Sequence, residues 1–155
     1  MLSEAHRIAA ALPAQRIADQ QQRDTYFHCA HGRLKLREIT GQRAELIWYA
    51  RADEQGPKAS QYYVVPVIDP RGLQSALESA WGLRGVVQKH RAIYLYRHVR
   101  IHLDEVIGLG SFLEFEAVLD PGLNELASHE LLHELQMAFR IAAADLVPVS
   151  YGDLI

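Results

Sequence analysis

Short runs in which charged and apolar residues alternate constrain this chain more than any other feature. Side chains alternate across a β-strand, so residues two apart share a face. Arg33, Lys35 and Arg37 therefore share one face, while Leu34 and Leu36 mark the core side. Val87, Lys89 and Arg91 follow the same rule. Arg100, His102 and Asp104 alternate with Ile101 and Leu103, and Glu114 and Glu116 with Leu113, Phe115 and Ala117. A sheet with one wet face produces such alternation. On an ordinary wet face, however, neighbouring strands mix signs to form cross-strand pairs. Here the signs segregate, basic or mixed in three runs and doubly acidic in the fourth. A sheet curled into a barrel with its charged faces inward accounts for that segregation. Buried like charges repel and unpaired ones are costly, so such a lumen calls for a multivalent anion and cations. A polyphosphate with a divalent metal has that composition. Arginine forks match phosphate oxygens, lysine supplies point charge, and hard metals take carboxylate oxygens.

The order of elements agrees with an antiparallel α+β domain. Leu2, Ala5, Ile8, Ala9 and Leu12 recur at helical spacing and stop at Pro13. The polar run Asp19 to Arg23 precedes strands predicted at Asp24 to Phe27, Arg33 to Ile39, Ala44 to Arg51 and Gln61 to Ile68. A polar hairpin loop is expected over residues 52–60. Asp69-Pro70 reads as an N-cap with proline at the first helical position, opening a helix that runs to Trp81 and stops at Gly82. Strands are expected over Val86 to Ala92, Ile93 to Leu103 and Phe112 to Leu119, and a last helix over Leu123 to Ala142. A parallel sheet would need a helix after nearly every strand, and this order lacks them.

Composition narrows the rest. The 155 residues suit one domain spanning 1–155, and 49% hydrophobic residues supply a core. A net charge of −3 gives no bulk attraction to nucleic acid or membrane. The single Cys29 leaves no disulfide framework and suits a reducing cytoplasm. No apolar run approaches the roughly 20 residues that span a bilayer. The start, with Glu4 early and a short apolar stretch after it, does not read as a signal peptide. Cytoplasmic residence is the expectation.

Several runs, taken in order, resemble one family. They are Gln22-Arg23-Asp24-Thr25-Tyr26-Phe27, Gly32 to Glu38, Leu46 to Arg51, Val87 to Arg91, Arg100 to Asp104, Leu109 to Glu116, and the tail Ser150-Tyr151-Gly152-Asp153-Leu154. Their order and spacing resemble the CYTH superfamily, the triphosphate tunnel metalloenzymes, and most of all its bacterial branch related to class IV adenylyl cyclases. The resemblance implies an antiparallel β-barrel open at both ends, with flanking helices. It implies that Lys35, Arg37, Arg51, Lys89, Arg91 and Arg100 hold the triphosphate of a nucleotide or an inorganic polyphosphate. Asp104, Glu114 and Glu116 would hold Mg²⁺ or Mn²⁺. One tunnel of this kind supports either attack of a ribose hydroxyl on the α-phosphate, giving cyclic AMP and pyrophosphate, or hydrolysis of the triphosphate. The family's first strand carries Glu-x-Glu-x-Lys, and Met1 stands where its first helix begins. The expectation is thus a barrel without that strand, with an open edge at which two copies pair. The second reading is a module that binds polyphosphate without turning it over.

A rival motif lies in the last helix. His129-Glu130-Leu131-Leu132-His133 fits H-E-x-x-H, the zinc metalloprotease pattern. The apolar stripe expected there is Leu123, Ala127, Leu131, Leu135, Ala138 and Ala142, which puts both histidines on the opposite, solvent side. Gln136 and Phe139 also stand where a metzincin would continue with glycine and histidine. Cys29 reads as a small packing residue, and Trp48 and Trp81 as core. His102 either faces the lumen or pairs with Asp104 along one strand face.

Overall fold

A computed structural model describes residues 2–50, 61–117 and 125–155. Helix α1 (Leu2–Ala11) leads into β1 (Gln15–Phe27), β2 (Arg33–Ile39), β3 (Ala44–Ala50) and β4 (Gln61–Val67). Helix α2 (Pro70–Trp81) precedes β5 (Leu83–Tyr96), β6 (Val99–Val106) and β7 (Gly110–Ala117), and α3 (Glu125–Ala138) follows. Two short 3₁₀ turns, Ala143–Asp145 and Tyr151–Asp153, close the chain. The strands are hydrogen-bonded in the order β4-β3-β2-β1-β5-β6-β7, and the β1–β2, β2–β3, β3–β4 and β6–β7 pairings are antiparallel. The architecture is α+β, as the element order predicts, whereas the closed barrel expected from the charge alternation is not formed by the described strands, whose order runs from β4 to β7 without closing.

The chain gathers into two compact units. One holds Met1–Asp19 with His90–Leu146, the other Gln20–Lys89 with Val147–Ile155. The long strands β1 and β5 therefore each contribute to both. In the first unit Ala92, Tyr94 and Tyr96 of β5 and Val99, Ile101 and Leu103 of β6 form the core with Ala9 of α1 and Leu131 and Leu135 of α3. In the second, Phe27, Leu34, Leu36 and Ala44 pack with Leu46, Trp48 and Val67, and with Leu73 and Leu77 of α2. In both units the apolar strand faces meet helices. The charged faces are the other ones.

Local chemistry explains the element ends that the sequence predicts. The Asp69 carboxylate accepts from the Gly72 backbone N–H at 3.0 Å, Pro70 opens α2, and Gly82 (φ 84°) ends it by donating to the Glu78 carbonyl. Other ends differ from expectation. Strand β1 begins at Gln15, nine residues before Asp24, and its ladder with β2 starts only at Gln22. The expected break between Ala92 and Ile93 is absent, and β5 runs on to a two-residue turn at Arg97-His98. Arg97 takes φ 54°, a left-handed conformation that glycine or asparagine usually announces, so nothing in the sequence marks the turn. Helix α3 likewise stops four residues before Ala142. Arg140 (φ 54°) donates to Met137 and Ile141 donates to Gln136, the paired bonds of a Schellman end without its usual glycine. On α3, Leu131 and Leu135 are buried as expected, whereas Ala127 is exposed and Ser128 and, just past the helix, Phe139 are buried beside them. Trp81, predicted as core, is also exposed. Leu123 and the loop expected at 52–60 lie outside the described residues.

Candidate functional site

Strand alternation and register assemble the basic residues of the second unit. Asp24 on β1 lies directly opposite Arg37 on β2, and Tyr26 opposite Lys35. The Arg37 guanidinium grips the Asp24 carboxylate with Nε on Oδ1 and Nη2 on Oδ2, both at 2.7 Å. Lys35 Nζ donates to Oδ2 at 2.9 Å, and Lys89 Nζ of β5 stands 3.9 Å from the same oxygen. Asp24 is wholly buried, and Lys35 and Lys89 nearly so. Burial alone would push the Asp24 carboxyl up, yet the Lys35 and Arg37 charges hold it well below the usual carboxylate range. Tyr26, buried beside Asp24, has its phenol pushed well above the ordinary value. The Tyr26 and Tyr49 rings flank the Lys35 ammonium at 5.5 and 5.3 Å, a contact that attracts a cation and limits its rotamers.

The C-terminal turn belongs to the same unit. Asp153 takes Arg33 Nη2 at 2.8 Å and Arg84 Nη2 at 2.7 Å, and its Oδ2 also accepts from the Ser150 hydroxyl at 2.7 Å. Burial raises the Asp153 carboxyl, but Arg33 and Ser150 outweigh it and set the group far below its normal range. Tyr151 lays its ring 4.7 Å from Lys89 Nζ. Gly152 fits where a Cβ would stand 2.6 Å from the Tyr26 ring. The turn thus packs on the residues that frame the cations.

The first unit holds a second charged group. Arg91 of β5 grips Asp104 of β6 with two bonds at 2.7 and 2.6 Å, and its Nη2 also reaches Glu114 of β7 at 2.9 Å. His102, buried and directly opposite Glu114, lies between the two acids of β7. Its Nδ1 is 3.5 Å from Glu114 and its Nε2 3.4 Å from Glu116. His102 is thus set against the two glutamates of β7. Arg100 is exposed, with Nη1 3.5 Å from Glu116.

The predicted site residues thus divide. Lys35, Arg37 and Lys89 converge on Asp24, whereas Arg91, Arg100, Asp104, Glu114 and Glu116 surround His102 or one another. Arg51 lies outside the described residues. Sequence reasoning missed Asp24 and Asp153, the acids that orient the cations, although both sit in runs it singled out. A carboxylate among basic residues was the available signal.

Among the described residues no three His, Cys, Asp or Glu side chains converge as metal ligands. Both Asp104 oxygens already accept from Arg91. Glu114 and Glu116 are about two-fifths exposed, and their oxygen-only chemistry fits a hard cation that keeps waters and takes one or two carboxylates besides phosphate. His129 and His133 are exposed on α3.

The antiparallel order and the strand faces of buried cations and carboxylates define a class of α+β proteins with charged sheet faces. Residues 2–151 match the family model of the CYTH domain, and the chain belongs to that family. The family binds triphosphate substrates and generally depends on a divalent metal. Among curated proteins none is a significant sequence match. Solved structures share the fold. A Pyrococcus horikoshii protein is 22% identical with a TM-score of 0.85, over 100% of this chain and 94% of its own. A Pyrococcus furiosus protein is 18% identical with a TM-score of 0.87, over 99% and 94%. A proposed adenylate cyclase of Vibrio parahaemolyticus is 22% identical with a TM-score of 0.72, over 96% and 88%. No described helix is long and apolar enough to cross a membrane.

Proposed function

We propose that this protein is a metal-dependent enzyme acting on a triphosphate-bearing substrate, either a nucleoside triphosphate or an inorganic polyphosphate. The observation that carries the reading is the convergence of Lys35, Arg37 and Lys89 on the buried Asp24. A shared carboxylate offsets the repulsion between these cations and fixes their heads on one strand face. A polyanion then meets donors already in place, which favours binding because little side-chain entropy remains to be lost. Arg37 offers a fork to phosphate oxygens, and Lys35 and Lys89 offer point charges. Arg51, Arg91 and Arg100 are assigned to the same phosphate-holding set through the family resemblance.

Glu114 and Glu116 are the residues we assign to Mg²⁺ or Mn²⁺. Such an ion, when bound, neutralises phosphate charge and polarises the reacting phosphorus. Asp104 was expected beside them as a ligand. Both its oxygens accept from Arg91, so it also holds that guanidinium in place, and each keeps a lone pair for the ion. His102, buried between the two glutamates, spaces them and offers a proton-bearing ring nitrogen to either. The engagement of Asp104 favours a second reading, in which the protein binds triphosphate without turnover.

The deciding experiment incubates the purified chain with ATP or tripolyphosphate and Mg²⁺ or Mn²⁺. It measures phosphate, pyrophosphate and cyclic AMP. Cyclic AMP with pyrophosphate identifies a cyclase, and phosphate identifies a hydrolase. Binding without any product leaves the second reading, and neither binding nor product refutes both. Two further proposals accompany this reading. Residence in the cytoplasm agrees with the single Cys29. Pairing of two copies through a sheet edge agrees with β4, which ends the strand order and exposes Tyr62, Tyr63, Val64 and Val65. Light scattering over a concentration range tests that pairing, and a strictly monomeric mass at all concentrations refutes it.

A further inference from the structure

Strand β1 places Gln22 two residues before Asp24, hence on the same face as the carboxylate that gathers the cations. Gln22 is 5% exposed, and its Oε1 is buried without a hydrogen-bond partner among the described residues. Its Nε2 is occupied, donating to the Gln20 side chain. Buried amide oxygens nearly always find a donor, so an acceptor left open among the described residues, on a face built of donors, is suited to one that a ligand brings. Gln22 pairs with Ile39 and Asp24 with Arg37, so Arg37 stands on the diagonal from Gln22.

Phosphate oxygens cannot satisfy Oε1, because an ionised phosphate has acceptors only. A sugar hydroxyl or a base amino group can. We propose that Gln22 accepts a hydrogen bond from an O–H or N–H donor on the organic group that carries the triphosphate. The residue thereby selects a nucleoside triphosphate over an inorganic polyphosphate. This inference rests on the triphosphate reading above and narrows its substrate class.

The test is calorimetric titration of the full chain with ATP, with methyl triphosphate, which has the anion but no such donor, and with 2′,3′-dideoxy-ATP, all with excess Mg²⁺. The unaltered protein should bind ATP more tightly than methyl triphosphate. Gln22→Leu should weaken ATP about tenfold, the loss expected for one buried hydrogen bond, and leave methyl triphosphate unchanged. Gln22→Met, closer in shape, serves the same purpose if the leucine variant does not fold. Dideoxy-ATP binding as weakly as methyl triphosphate would identify the sugar hydroxyls as the donor, and binding as tightly as ATP would identify the base amino group. If neither Gln22 variant changes the ratio of ATP to methyl triphosphate affinity, while Lys35→Ala weakens both ligands, the Gln22 assignment is wrong and the triphosphate reading stands. If the unaltered protein binds neither ligand, both fall together.

Discussion

Asp24 is the residue on which the basic face turns. Removing its charge leaves Lys35, Arg37 and Lys89 crowded in a buried place without the carboxylate they share. Breaking a buried ion pair from one side is strongly destabilising, and Asp24→Asn should cost about 3 kcal/mol by urea denaturation at pH 7. The pH dependence of that cost has a definite sign. The folded carboxyl sits far below its ordinary value of 3.8, so the unfolded chain takes up the proton first as pH falls. The stabilisation is complete above the unfolded value and is lost as pH drops below it toward the folded one. The gap between the parent protein and Asp24→Asn should therefore stay constant from pH 7 to about 5 and narrow below about 4. A gap that widened on acidification would contradict the assignment. Asp153, shifted in the same direction by Arg33 and Ser150, adds to the loss in that window.

At the level of elements, the C-terminal turn is where packing and binding meet. Tyr151 covers Lys89, Asp153 holds Arg33 and Arg84, and Gly152 lets the backbone lie against Tyr26. Gly152→Ala would force its new methyl into that ring and should cost about 2 kcal/mol, as overpacking does. The same variant should weaken tripolyphosphate binding, because displacing the turn releases the side chains that frame Lys89. Asp69→Ala, by contrast, removes the N-cap of α2 and should cost about 1 kcal/mol without changing tripolyphosphate affinity. Thermal melts with titrations of both variants separate the two effects. The α2 boundaries were legible because Asp69, Pro70 and Gly82 have side-chain or backbone chemistry suited to a helix end. The ends at Arg97 and Arg140 were not, since arginine carries no preference for the left-handed conformation it adopts at each.

For the molecule as a whole, a polyanion that binds the folded state alone must stabilise it by mass action. Tripolyphosphate at one hundred times its dissociation constant should add about 2.7 kcal/mol to the unfolding free energy. Lys89→Ala and Arg91→Ala should reduce that gain, whereas His133→Ala, on the exposed side of α3, should keep it in full. Differential scanning fluorimetry with and without the anion makes the comparison. An equal response from all three variants would count against the phosphate-holding set.

The period-2 alternation around Lys35, Lys89, Asp104 and Glu114 determined by itself that these side chains share faces opposite an apolar core, because a strand's geometry fixes that alternation without reference to its neighbours. Tertiary structure alone decided which charges meet. Register set Asp24 opposite Arg37 and His102 opposite Glu114, and the long β5 carried Lys89 to Asp24 and Arg91 to Asp104. Such pairings depend on contacts between residues far apart in the chain. No local pattern records how far one strand slides against the next.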